Sequence, residues 1–352
     1  MAKNPPKVIV GVDTHKEFHM VAIVAETGKE VASKIFLANK NGYTKAFLWV
    51  KTFGEPLRVG IEATGSYGKG ICKHFQKKGI EVLDVYKPDK QERRRCGKDD
   101  TRDAFQAASA ALAYKRCAPA KESSELFLAA SLTKSNYDQA VKHHTASINA
   151  LKAHIIKLPD KMRISLERLS NAELIGVCLG FRIRSEILDP KNEIKKSLRL
   201  LALRIASLEK EISLLKKELE QYAKALAPNT LSLFGVGAYG AITFLCCAGQ
   251  NISRIKSESA FSMLCGASPI SVSSGNNHHH RLNRGGDRKA NAALYTMAIT
   301  RMKFCETTQT YIAKKMSENK TKKDAIRILK RHLTREVFWS LKQDLSNLVA
   351  ID

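Results

Sequence analysis

The fold class that this sequence predicts is α/β plus α: an N-terminal mixed sheet with helices, a central coiled coil, and a mostly helical C-terminal domain. Three features of the chain point there. Three short apolar runs follow one another near the start, and strands then alternate with helical patterns, the order of a mixed sheet. An unbroken apolar seam with a 3.5-residue period runs through the middle of the chain. Beyond it lie helical stretches dense in Lys and Arg.

In chain order, VIVGVD, HMVAIVA and EVASKIFLA read as three strands, with Glu26-Thr27-Gly28-Lys29 as a hairpin turn. A helix over NGYTKAFLWVKTF, the strand LRVGIEA, a helix near YGKGICKHFQKKG and the strand IEVLDVY follow. GKDDTRDAFQAASAALA then opens an alanine-rich, strongly helix-forming segment around Ala104–Tyr114. Residues 122–158 look wholly helical and end near Leu158-Pro159. The seam comprises Ile194, Leu198, Leu201, Ile205, Leu208, Ile212, Leu215, Leu219, Tyr222 and Leu226. Heptads this regular usually pair with another helix, and a partner from a second chain would make a dimer. A helix packed against its own domain is the alternative. Pro228-Asn229 ends this helix. In LFGVGAYGAITFLCCAG, the Gly235-Val236-Gly237 step is either a plain tight turn or a source of backbone N–H groups for a phosphate. A helix over SESAFSMLCG, the polar loop SPISVSSGNNHHHRLNRGGDRK and the basic helices complete the chain. The expected domains are 1–158, 159–227 and 228–352.

The formal net charge is +25, spread along the chain rather than gathered in a tail, which favours polyanion-binding faces on folded domains. A basic membrane-surface protein fits less well, because no long amphipathic Lys/Arg helix with an aromatic face is present. The N-terminus lacks the pattern of a signal peptide, and no stretch reaches the roughly 18 apolar residues of a membrane span. None of the cysteines (Cys72, Cys96, Cys117, Cys178, Cys246, Cys247, Cys265, Cys305) forms a CxxC pair. Reduced, mostly buried thiols in a cytoplasmic, nucleoid-associated protein are therefore expected.

Four carboxylates carry the chemistry. Asp13 and Glu62 each close an apolar run, and Asp100 and Asp103 lie three apart at a helix start, on one face. Each alone reads as a solvated residue or cap, and Asp99 is expected to be the cap. Together they suit Mg²⁺, which takes carboxylate oxygens and water, and two such ions roughly 3.5–4 Å apart can drive phosphodiester cleavage. A second constellation is Ser273-Ser274-Gly275 followed by His278, His279, His280, Arg281, Arg284, Arg288 and Lys289. A serine attacking a phosphodiester needs cations around the charge that develops. The competing reading, which the residues alone favour, is a polar loop whose serines only cap or turn the chain. Consecutive histidines rarely all face one ion, so the triplet reads as nucleic-acid-facing polar surface.

The first segment's strand order is that of the ribonuclease H-like fold. GVDTHK, GIEATGSYG and KDDTRDA resemble the acidic motifs of DEDD-type insertion-sequence transposases, whose first domain is RuvC-like. LFGVGAYGAIT, AFSMLCGASPISVSSG and RLNRGGDRKANAALYTMAI resemble the same family's C-terminal transposase domain, which also carries a coiled coil before it. Pilin-gene invertases belong to this group. The resemblance implies that Asp13, Glu62, Asp100 and Asp103 bind Mg²⁺ and that Ser274 is the nucleophile, with Ser273 as fallback. It further implies a covalent phosphoserine intermediate, donor and target DNA, a structured bridge RNA that pairs with both, and two dimers forming a tetramer. Arg281, Arg284, Arg288 and Lys289 would touch nucleic acid. A RuvC-like junction resolvase using activated water, a site-specific invertase, and a non-catalytic nucleic-acid scaffold are the competing functions.

Overall fold

The computed structural model describes residues 5–85, 99–120, 124–184, 189–251, 256–274 and 277–349. Tyr86, Cys96, Gly275 and Asn276 lie outside the described residues, as do 122–123 at the start of the expected long helix. The chain divides into two compact units, residues 1–123 with 249–256, and residues 124–248 with 257–352.

The first unit is built on a six-stranded sheet. Strands β1 (Lys7–Thr14), β2 (Phe18–Ala25) and β3 (Glu30–Leu37) form an antiparallel meander. Gly28 takes a φ of +87° in the β2–β3 turn, a left-handed conformation open to glycine at little cost. Helix α1 (Lys40–Lys51) is capped by Asn39, whose side chain accepts from the Gly42 N–H. Strand β4 (Glu55–Glu62) lies parallel to β1, helix α2 (Lys69–Lys77) follows, and β5 (Glu81–Val85) lies parallel to β4. Helix α3 (Asp100–Ala113) leads to a short edge strand, β6 (Cys117–Pro119), antiparallel to β5. The order is β3-β2-β1-β4-β5-β6, a ribonuclease H-like mixed sheet with β6 as an addition that the sequence reading lacked.

The sheet has two different faces because β residues alternate. Val10, Val12, Val59, Ile61 and Val82 pack with Ile71 and Phe75 on one side. Ile9 and Leu83 pack with Ala108 and Ala111 of α3 on the other. Gly11 and Gly60 let α3 come down onto the strands. A Cβ on Gly11 would lie 1.9 Å from the Ala104 carbonyl oxygen, and one on Gly60 would lie 2.3 Å from that of Ala107. The alanines of α3 are small for the same reason.

Among its described residues the second unit is helical apart from one hairpin. Helices α4 (Glu125–Ile156) and α7 (Pro190–Leu226) pack side by side, joined through α5 (Asp160–Glu167) and α6 (Asn171–Leu179). Leu151, Ile155, Leu166, Leu174 and Cys178 share a core with Leu198, Ala202 and Ile205 of α7. The seam of α7 thus finds a partner helix within its own chain. Its buried stripe includes Ala202 and Ala223 and leaves Leu201 and Leu208 half-buried, closer to the 3.6-residue turn of a straight helix than to a strict heptad. Leu200, Leu203 and Leu214 remain exposed.

Helix α8 (Pro228–Ser232) is fixed by the buried Asp344 carboxylate, which accepts from the backbone N–H and side chain of both Asn229 and Thr230 at 2.6–2.9 Å. Gly235, at φ +85°, makes the turn into α9 (Ala238–Ala248) with its Cα side against the Met297 carbonyl. Helix α10 (Glu258–Leu264) precedes the hairpin β7 (Ile270–Ser274) and β8 (Asn277–Arg281). Helices α11 (Arg288–Phe304), α12 (Glu306–Ser317) and α13 (Lys322–Val349) close the unit. The expected polar loop is therefore a β-ribbon. Alternation in ISVSS and a Gly-Asn pair between two runs is a hairpin signal that the polar composition obscured. Among the described residues no helix is long and apolar enough to cross a membrane.

Candidate metal centre and nucleic-acid surface

Asp13 ends β1 on the face that α3 covers, two residues beyond Gly11, and is only 8% exposed. On β4, Val12 and Ile61 are register partners, so Glu62 extends β4 beside Asp13. Arg58 and Gly60 of the same alternation both meet α3, which puts Glu62 on that face as well. The Thr14 hydroxyl donates to the Glu62 carbonyl at 3.0 Å and ties the two strand ends together. Beyond Glu62 the chain turns through Ala63, at φ +59°, and Thr64, whose N–H and hydroxyl both donate to the buried Asp84 carboxylate.

Asp100 and Asp103 occupy the first turn of α3, and Asp99 is its N-cap, accepting from the Thr101 N–H at 3.0 Å. Because α3 rests on Gly11 and Gly60, its N-terminus arrives over the ends of β1 and β4. Asp13 and Asp100 thereby converge, and between them stands His15, with Nε2 at 3.1 Å from Asp13 Oδ2 and 3.2 Å from Asp100 Oδ2. One ligand atom from each lies within 4.8 Å of the others. Burial raises the Asp13 carboxyl above its ordinary value; His15 opposes that shift, and the charges of Asp100 and Asp103 add to it. A carboxylate in that position calls for a cation, and the donor set suits a divalent ion.

The sequence predicts that Asp13, Glu62, Asp100 and Asp103 converge. Among the described residues the ligand atoms within 4.8 Å of one another are those of Asp13, Asp100 and His15, while Glu62 ends the adjacent strand and Asp103 lies in the same turn of α3 as Asp100. The sequence reading passed over His15. His15 is the first residue beyond β1, and the turn to Phe18 rather than strand alternation sets where its ring goes.

In the second unit Ser273 and Ser274 sit at the end of β7, in register with His278 and Asn277 of β8. Ser273 is exposed; the side chains of Ser274, His278 and His279 lie outside the described residues. Arg281, Arg284 and Arg288 line a cleft of about 830 Å³ together with Lys320, Arg327 and Lys330. Burial, then the neighbouring Arg327 charge, pulls the Lys330 ammonium below its ordinary value. Asn291 holds it at 2.7 Å. Lys289 is placed differently. Its ammonium bonds the Asp138 carboxylate, which also receives Lys134 and the Tyr239 hydroxyl.

A ribonuclease H-like sheet with acidic residues gathered where β1 meets α3 is an arrangement that suits phosphodiester chemistry on a polynucleotide. Residues 10–158 match a transposase family model of the DEDD, IS110 type, and residues 228–313 match the Transposase IS116/IS110/IS902 family. No curated protein matches the chain. Both matches fall in one family, and the chain belongs to the IS110-type DEDD transposases, enzymes that cut DNA and transfer its strands.

Proposed function

We propose that this transposase is RNA-guided and moves DNA strands through a covalent phosphoserine, with Mg²⁺-type dication chemistry at Asp13, Glu62, Asp100 and Asp103. The observation that carries the reading is the convergence of Asp13 and Asp100 beside a second strand ending in Glu62. A bound dication would supply charge stabilisation at the scissile phosphate. The carboxylates hold that charge in place, and the sheet and α3 fix their spacing. Ser274 Oγ attacks phosphorus, forms the Oγ–P bond, loses its proton and releases the 3′-oxygen of the cut strand, which leaves as a hydroxyl. Arg281, Arg284 and Arg288 follow the serine in sequence and line a cleft of the same unit, cations of the kind that stabilise a crowded phosphate. The protein works as a homo-oligomer, a dimer assembling to a tetramer, on donor and target DNA with a structured bridge RNA.

The test is to incubate the protein with bridge RNA and donor and target DNA and look for a protein–DNA adduct. Wild type should form it, while Ser274→Ala should form none. Asp13→Asn should fold and bind DNA yet form none. An adduct in Ser274→Ala would move the nucleophile to Ser273 or elsewhere. Hydrolytic nicks without an adduct would favour activated water, the resolvase chemistry. Activity without RNA would remove the guide. Products with an inverted segment would make the protein an invertase of the same chemistry.

A further inference from the structure

The geometry points to His15 as a direct ligand of the dication, which makes this a mixed nitrogen–oxygen centre that favours Mn²⁺ over Mg²⁺. The inference rests on the reading of Asp13 and Asp100 as metal ligands, and not on the serine chemistry or the RNA.

Three observations place the imidazole there. His15 is the first residue beyond β1, two residues on from Asp13. The chain then turns tightly, with the His15 N–H donating to the Phe18 carbonyl at 3.1 Å. The imidazole stacks on the Phe18 ring, centroids 4.7 Å apart and planes at 30°. Backbone and ring together fix where Nε2 points, and it points between two carboxylates.

The spacing accommodates a shared ion as well as the His15–Asp13 hydrogen bond. Nε2 bears at most one hydrogen, so it can satisfy one carboxylate oxygen well but not two on different residues. Two ligands about 2.1 Å from one octahedral ion, on adjacent vertices, stand about 3 Å apart. The measured separations from Nε2 are 3.1 Å to Asp13 and 3.2 Å to Asp100. His15 is also partly open, with 27% of its side chain exposed, so the locus can be reached from solvent.

The chemical consequence is selectivity. Mg²⁺ takes oxygen ligands in near-ideal octahedral geometry, whereas the first-row transition dications, from Mn²⁺ upward, bind mixed nitrogen and oxygen sites. An all-carboxylate centre would not tell them apart in this way.

The experiment uses full-length, untagged protein without nucleic acid, titrated with Mn²⁺ and read by electron spin-echo modulation, with histidine labelled as ¹⁴N or ¹⁵N. Wild type should bind Mn²⁺ with a nitrogen modulation that changes with the isotope. His15→Gln should lose the modulation and still bind Mn²⁺, more weakly by about tenfold or more, the scale seen when a supporting group leaves a metal site. Competing Mg²⁺ should then displace Mn²⁺ more readily than from wild type. Mn²⁺ bound to wild type with no nitrogen modulation overturns the inference. Modulation persisting in His15→Gln also overturns it, and would place the nitrogen elsewhere, as in residues 278–280. Binding that is absent, or unchanged in Asp13→Asn, removes the metal centre itself along with His15. Adduct formation in the reaction with DNA is scored separately, so failure of the serine reading leaves this result standing.

Discussion

His19, on β2 opposite Thr14, is fully buried and stacks on Tyr43 with ring centroids 5.7 Å apart. Burial pushes its imidazole down to about 4 from an ordinary 6.5. The unfolded chain therefore binds a proton first as pH falls, and stability present above about pH 6.5 drains away towards pH 4. At about 1.4 kcal/mol per unit, the loss approaches roughly 3 kcal/mol at the acid end. Urea denaturation at about pH 7 and about pH 5 should show it, and His19→Phe should flatten the difference. Cys305, at the start of α12, behaves in the opposite sense. Bonds from Thr307 and Thr308 lower its thiol to about 7, while burial raises Cys178 to about 11. Alkylation by iodoacetamide should label Cys305 ahead of the other cysteines among the described residues, with a rate that falls as pH drops below about 7. Both groups also bear on what a sequence can disclose at this scale. Asp13 and Asp100 were legible only as members of a set, since each alone reads as a solvated residue or cap while four acids at strand ends and one helix start together do not. His15 and His19 were not, because their roles depend on which face and which neighbour they meet, and that is settled only when α3 and α1 pack.

At the scale of elements, the metal centre depends on how closely α3 approaches the sheet. Gly11→Ala sets a methyl 1.9 Å from the Ala104 carbonyl oxygen and 2.4 Å from the Ala108 nitrogen, so the helix must move. Overpacking of this kind costs about 1–3 kcal/mol. Here it should also part Asp100 from Asp13, so DNA cleavage should fall further than the loss of folded protein explains. Gly176 is the contrasting case, in the interior of α6 with nothing within 4 Å of an added Cβ. Gly176→Ala should stabilise the fold by about 0.5–1 kcal/mol, measured by the same denaturation curves. The strands and helices of the first unit were legible from period and turn residues, down to the Gly28 turn and the Asp99 cap. Two elements were not. Strand β6 is three residues, Cys117–Pro119, too short to show a period, and it exists because the edge of β5 accepts it. The β7–β8 ribbon was hidden by its serines and histidines, whose polarity reads as loop although the spacing reads as hairpin. The seam of α7 was legible as a helix, but not its partner, since periodicity cannot distinguish α4 of the same chain from a second copy.

For the whole molecule the governing quantity is a net charge of +25, and its effect on DNA binding depends on which cations remain unpaired. Each Lys or Arg that neutralises a phosphate releases counterions, so log K falls with log salt by about 0.9 per contact on duplex DNA. Arg281, Arg284 and Arg288 are exposed around the cleft in the second unit. Lys289 follows them directly in sequence, yet its ammonium is held by Asp138 along with Lys134 and Tyr239, whose hydroxyl burial drives well above its ordinary value. A charge already neutralised inside the protein releases few counterions on binding. The four neighbours, indistinguishable by residue type, should therefore separate in solution. Arg281→Ala, Arg284→Ala and Arg288→Ala should each lower the salt slope by about 0.9, read from fluorescence anisotropy titrations of labelled DNA at several salt concentrations. Lys289→Ala should leave the slope unchanged and lower thermal stability instead, because Asp138 loses a partner. A full drop in slope for Lys289→Ala would show that nucleic acid draws the ammonium away from Asp138, and that the charge is shared between fold and ligand.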